Sequence, residues 1–254
     1  HRKVWELCYV MQALWERGML TEGKHGLGFG CGQEPLPSLM AALGVRVTAT
    51  DLPPQMAAGR GWVETGQHTS ELAKLHFAHL VSKERFESKV DLVYVDMNDI
   101  PDGLQGKYDF CWSICAYEHL GSIEKGLRFV KESLKTLKPG GVAVHTTEFS
   151  FLNDRETIDN WPTVLFQQKH FERIAAELER AGHRVEPLDF DVGGGAIDRY
   201  IDIPPYKWDL KSPSSWFDSF DPRAHLKLNV DGFACTCFGL IVVKSEAGPG
   251  PAVG

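Results

Sequence analysis

The sequence predicts an α/β fold with a mostly parallel, doubly wound sheet, and three observations carry that reading. Strand-like runs alternate with helical periodicity along nearly the whole chain, the pattern of a parallel sheet with helices on both faces. The first strand-like run, HGLGF, enters a turn with glycines on alternate positions, Gly26, Gly28, Gly30 and Gly32. Backbone of that kind turns tightly or admits a close neighbour. The next run, VRVTATD, ends on an acid, Asp51, about 20 residues after the turn.

In chain order, KVWELCYVMQALWERG (3–18) places Val4, Leu7, Cys8, Met11, Leu14 and Trp15 at helical spacing and stops at Gly18. EPLPSLMAALG follows the glycines as a helix, with proline tolerated in its first turn and Gly44 closing it. VDLVYVD and YDFCWSIC supply the third and fourth strands. SIEKGLRFVKESLKTLKPGG is a helix broken at Pro139-Gly140-Gly141, and VAVHTTEF is the fifth strand. KHFERIAAELERAG is a helix feeding RVEPLDF, and FACTCFGLIVVK is the last strand. Two insertions interrupt this order, at about 58–89 and 193–227. The expectation is a single domain over 1–246, followed by a disordered Gly/Pro/Ala-rich tail at 247–254.

Acids outnumber Lys and Arg by 34 to 27, a net charge of −7, and no basic run stands out. That balance argues against nucleic acid or an anionic membrane as the partner. No stretch is apolar for long enough to span a bilayer and no signal-peptide pattern opens the chain, so a cytoplasmic location is expected. The six cysteines lack the paired spacing of a zinc site and read as reduced thiols. The sequence does not specify an oligomeric state.

Two phosphate-binding patterns fail on the glycine turn. Gly18 to Lys24 has P-loop spacing, but His25 stands where a hydroxyl residue is needed, and the segment follows a helix rather than a strand. The dinucleotide fingerprint fails in both registers, with Cys31 or Gln33 at its sixth position. What remains is G-x-G-x-G at Gly28, Gly30 and Gly32, followed in order by TATDL, VDMNDIP, YDFCWSICAYEHLGS and LKPGG.

With this ordered set the chain resembles the class I S-adenosylmethionine-dependent methyltransferases, from about Lys24 to Lys244. YDFCWSICAYEHL is similar to the family's strand-four segment, including Glu118-His119, and DLPPQM looks like the continuation after the ribose-binding acid. The resemblance implies a seven-stranded sheet whose last strand runs antiparallel in a hairpin with RVEPLDF. It also implies S-adenosylmethionine as cofactor. Gly28, Phe29, Gly30 and Gly32 would line its methionine and ribose portion. Asp51 would hold the ribose hydroxyls, with Leu52 against the adenine. Asp96 and Met97 would meet the adenine, and Ser113 with Ile114 would close the floor. One departure stands out: family members usually carry an acid two residues before the first motif glycine, where this chain has Gly26. Gln33, Glu34 or the N-terminal helix would compensate, Glu34 first.

Methyl transfer needs alignment and a dry pocket, and a hydroxyl acceptor also needs a base. His119, just after strand four, and Glu148, at the end of strand five, are the candidate catalytic groups because open α/β sheets bind ligands at the strands' carboxyl ends. Residues three apart on a strand face opposite ways, so His145 and Glu148 do not form a metal pair and no metal is expected. The insertions carry Trp62 and His68, then Tyr200 and Tyr206 among acids, as candidate substrate contacts. Aromatic faces beside carboxylates suit a sugar ring or a cationic amine. The expected activity is therefore O-methylation of a sugar hydroxyl on a small molecule or glycan. N-methylation of a small amine and a non-catalytic cofactor-binding subunit are the alternatives.

Overall fold

In the computed structural model, which describes residues 2–58, 68–195, 198–204, 206 and 226–246, the parallel half of the sheet is built from five strands. These are β1 (His25–Phe29), β2 (Arg46–Asp51), β3 (Val90–Tyr94), β4 (Tyr108–Ile114) and β5 (Leu137–Ser150). β6 (Arg184–Val185), β7 (Ile201–Asp202), β8 (Lys227–Val230) and the long β9 (Phe233–Val243) complete it. The order is β3-β2-β1-β4-β5-β9-β8-β7, with β6 paired to the end of β9. β1 to β5 pair in parallel, whereas β9 is antiparallel to β5, as expected. The winding reverses between β2 and β4, on either side of β1, and such a switch point opens a crevice at the strands' carboxyl ends.

The helices are α1 (Arg2–Glu16), α2 (Leu36–Ala42), α3 (Pro54–Ala58), α4 (Lys83–Lys89), α5 (Ile123–Lys135) and α6 (Gln168–Arg180). Strand alternation divides the core between the two faces of the sheet. Phe110, Trp112 and Ile114 of β4 pack in a cluster with Val10, Leu14, Met40 and Phe86, which belong to α1, α2 and α4. Cys111, between them, belongs to the other cluster, with Phe129 and Val130 of α5 and Phe171 and Leu178 of α6. No described helix is long and apolar enough to cross a membrane.

The sheet has nine strands among the described residues rather than seven. RVEPLDF contributes only Arg184–Val185, because Pro187 has no N–H to offer the ladder. The start of β9, Phe233–Cys235, pairs with β8 through a hairpin at Asp231-Gly232, both at positive φ (47° and 91°). Turns of that hand match the twist of the strands. β5 is also longer than VAVHTTEF and absorbs Pro139-Gly140-Gly141 as an irregularity opposite Tyr108 and Phe110.

α1 is where the sequence expects it, but its buried face is rotated. Glu6, Val10, Ala13 and Leu14 point inward, while Val4, Cys8 and Trp15 are exposed. Tyr9 rests on Gly239 of β9, where any Cβ would come within 2.1 Å of the ring. The helix ends on Gly18 at φ 66°, whose N–H bonds to the Trp15 carbonyl while Met19 N–H bonds to that of Leu14. That paired closure satisfies carbonyls the helix would otherwise leave open.

On the α5 face, His145 of β5 is fully buried between two hydroxyls. Ser133 Oγ donates to the Val130 carbonyl at 2.8 Å, so it accepts from His145 Nε2 at 3.0 Å. Nδ1 is then the acceptor, and Ser113 Oγ donates to it at 2.8 Å. Burial lowers the imidazole to about 3 and keeps it neutral. The unfolded chain binds a proton there near pH 6.5, so between those values the unfolded state holds more protons and acid weakens the fold. We expect stability to fall below pH 6.5 by about 1.4 kcal/mol per pH unit from this group. Glu34 and Glu118, raised to about 7 and 8, act in the opposite sense. Urea unfolding of the wild type and His145→Asn at pH 7.5, 6 and 5 isolates the term. Equal slopes in the two proteins would contradict it.

Candidate functional site

The carboxyl ends of β1 to β4 enclose a cleft, with about 570 Å³ between its walls including the open mouth. Gly30 follows β1, Asp51 ends β2 with Leu52 next to it, and Val95, Asp96 and Met97 follow β3. Cys115, Ala116, His119 and Leu120 follow β4. Five adjacent positions of the sequence reading are thus joined by His119: Gly30, Asp51, Leu52, Asp96 and Met97.

The turn is made by Gly30 and Gly32, at φ 59° and 54°, and it starts two residues later than the sequence suggests. Gly28 lies inside β1, where a Cβ would come within 2.4 Å of both Cys31 Sγ and the Trp112 ring. Gly26 is equally filled, since a Cβ would come within 2.3 Å of Phe110. These two are glycines because β4 aromatics occupy their side-chain space, which also explains why no acid stands at 26. At Gly30, a Cβ would come within 3.0 Å of Ala116 Cβ across the cleft.

Asp51 organises the cleft. Its buried carboxylate accepts from Gly32 N–H (3.1 Å) and Thr69 N–H (2.9 Å) on Oδ2 and from Leu52 N–H (2.8 Å) on Oδ1. Burial raises its pKa while those N–H groups oppose the shift. A carboxylate has about four lone-pair sites, so one remains on Oδ1 for a hydroxyl donor. Asp96 Oδ1 accepts from Asn98 N–H at 2.8 Å, which holds the turn after β3.

Other expected residues sit elsewhere. Phe29 is buried against Phe129, and Ile114 belongs to the α1-side core. Ser113 is bound to His145 below the cleft. His68 Nε2 donates to the Leu52 carbonyl at 2.7 Å, so it buttresses the Asp51 loop. Tyr206 donates to the Asn229 carbonyl at 2.6 Å, beside β8, and Tyr200 is exposed. Trp62 lies outside the described residues, as does the segment 247–254.

His119 follows β4, and its Nδ1 lies 3.1 Å from both the Pro162 carbonyl and Thr163 Oγ1. A carbonyl only accepts, so Nδ1 carries the proton and the neutral ring has its lone pair on Nε2. Burial lowers its pKa, against the Pro162 carbonyl. Glu148 points to the opposite face of β5 from His145, pairs with Arg2 of α1, and accepts from Cys235 Sγ at 3.3 Å. It does not line the cleft.

Sequence reasoning missed the polar pocket beneath α1. Glu6 Oε1 accepts from Cys115 Sγ at 2.6 Å, and Glu118 Oε2 accepts from Thr147 Oγ1 at 3.0 Å. Glu6 and Glu118 are both fully buried. Burial, then the carboxylates of Glu148 and Glu6, push Glu118 up to about 8. The available signal was the spacing of Arg2, Lys3 and Glu6, which continues the stripe of Val10, Ala13 and Leu14. Glu34 Oε1 accepts from Trp112 Nε1 at 2.7 Å, and burial raises it to about 7.

Residues 6–186 match a family model described as a methyltransferase domain. No curated protein sequence matches the chain. Among solved structures, a provisionally assigned sarcosine dimethylglycine methyltransferase from Galdieria sulphuraria aligns with TM-score 0.55 at 18% identity, over 94% of this chain and 84% of that one. Phosphoethanolamine N-methyltransferase 2 of Haemonchus contortus, solved with S-adenosylmethionine, aligns with TM-score 0.52 at 15% identity, over 92% and 52%. Magnesium protoporphyrin IX methyltransferase of Synechocystis PCC 6803, with bound S-adenosylhomocysteine, aligns with TM-score 0.51 at 12% identity, over 93% and 81%. At these identities the likeness is one of fold.

The Asp51 network makes a direct stability prediction. Asp51→Ala leaves three N–H groups without their acceptor and should cost about 2–4 kcal/mol in urea unfolding. A loss under about 0.5 kcal/mol would show that the carboxylate does not hold the turn.

Proposed function

The chain belongs to the methyltransferase domain family, and from that premise we propose that it methylates a small-molecule or glycan acceptor at a sugar hydroxyl, using S-adenosylmethionine. One observation carries the reading. The cleft that holds Asp51, Leu52, Asp96 and Met97 also holds His119, so the groups proposed for the cofactor and the proposed base share one space. The unit that performs this is residues 1–246.

When bound, S-adenosylmethionine supplies a sulfonium methyl, whose transfer a dry pocket favours because charge is neutralised. Asp51 Oδ1 takes a ribose hydroxyl, and Leu52 and Met97 offer apolar surface to the adenine beside Asp96. Gly30 and Gly32 let the backbone come close, while Gly28, Phe29, Ser113 and Ile114 support that turn from below. His119, anchored through Nδ1, receives the acceptor's proton at Nε2. Glu148, the other candidate base of the sequence, is paired with Arg2 and does not line the cleft, so the proton is assigned to His119. His68, Trp62, Tyr200 and Tyr206 belong to the two insertions proposed to shape the acceptor's side. Transfer to a small amine is a second reading, favoured by the buried carboxylates of Glu6, Glu118 and Glu148.

Calorimetry should show S-adenosylhomocysteine binding, weakened at least about tenfold in Asp51→Asn. No binding by the wild type would refute the cofactor assignment. A labelled-methyl assay over sugar and amine panels, with and without EDTA, then reads the acceptor. Binding without any labelled product is the outcome for a non-catalytic subunit. His119 works as a base only when neutral, so the rate should fall as pH drops through its folded pKa, which lies below 6.5. His119→Gln should remove that limb and lower kcat roughly 10²–10⁴-fold. An unchanged pH profile would rule His119 out.

A further inference from the structure

We infer that the carboxylate cluster beneath α1, formed by Glu6, Glu118 and Glu148, is a receptor for one ammonium group. The three residues are at most 6% exposed. Two of their oxygens, Glu6 Oε2 and Glu118 Oε1, have no hydrogen-bond partner. Leaving a buried carboxylate oxygen unpartnered is costly, so their persistence points to a missing donor. Lys3 Nζ lies 3.9 Å from Glu6 Oε2, and His119 Nε2 lies 4.0 Å from Glu118 Oε1, both beyond hydrogen-bond reach. The other oxygens are taken by Arg2, Cys235, Cys115 and Thr147.

Charge and position agree. Arg2 and Lys3 balance Glu6 and Glu148, while burial and its neighbours keep Glu118 protonated up to about 8, so an ammonium brings the positive charge against which Glu118 ionises. An ammonium has three N–H donors, enough for both open oxygens. Cys115 both donates to Glu6 and lines the cleft, which puts the cluster at the cleft wall. A divalent ion fits less well. Cys115, Glu118 and Glu148 offer ligand atoms within 4.8 Å of one another, but Arg2 already holds Glu148. Burial also keeps the Cys115 thiol protonated, as a donor rather than a ligand.

The inference rests on the proposed function, because within it the ammonium has two sources: the cofactor's own α-amino group, or an amine on the acceptor. Calorimetry with S-adenosylhomocysteine and with methylthioadenosine, which lacks the amino acid, separates them in the wild type, Glu6→Gln and Glu118→Gln. Thermal melts establish that the isosteric variants fold. If the cofactor supplies the group, the variants lose at least about tenfold affinity for S-adenosylhomocysteine and less than about twofold for methylthioadenosine. If the acceptor supplies it, both nucleosides bind unchanged, and the wild type's preference for glucosamine over glucose, read by saturation-transfer NMR with S-adenosylhomocysteine bound, disappears in the variants. Variants that match the wild type in both arms overturn the inference alone. A wild type that binds neither nucleoside overturns the cofactor assignment and the inference with it.

Discussion

The geometry of the cleft hangs on one carboxylate. Asp51 ends β2 and ties down three separate pieces of backbone: the Gly32 turn, the start of its own loop at Leu52, and the return of the first insertion at Thr69. Each piece alone is a short connection with few contacts of its own. Held to a common acceptor, they become one rigid wall, and His68 closes it from outside through the Leu52 carbonyl. The same atoms that give the wall its shape also give it its charge. Burial works against that charge, and the three N–H groups offset the cost. Structure and recognition are therefore not separable at this residue.

The two faces of the sheet carry different chemistry, and β5 shows how. His145, pointing toward α5, is satisfied by two hydroxyls and kept neutral. Glu148, three residues on, points toward α1 and is met by Arg2. Around His145 the hydrogen bonds are complete, while Glu6 and Glu118 beneath α1 each keep one oxygen without a partner.

Much of this was readable in the sequence, because the strongest signals there are local. HGLGF and YDFCWSI are strands where β-branched and aromatic runs place them, and Asp51, Asp96, Met97 and His119 converge because strand ends converge. Two things were not readable. The register of the turn depends on Phe110 and Trp112 filling the space above Gly26 and Gly28, a contact across about eighty residues of chain that no spacing rule reports. The face α1 turns inward was hidden because a helix with apolar residues nearly all round has no unique inner side until its neighbours are known. Glu6, outside the apolar face read from the sequence, is fully buried.

The edge of the sheet beyond β9 has a consequence for how this protein can change. Residues Ile201–Asp202 and Lys227–Val230 pair with each other, and the latter is locked to β9 by a two-residue hairpin turn. In the sheet β8 and β7 stand four and five places from β1, and neither takes part in the hydrogen bonds that converge on Asp51. The edge at Asp202 and Lys227 and the wall at Asp51 therefore share no partner, and one can change without drawing on the other.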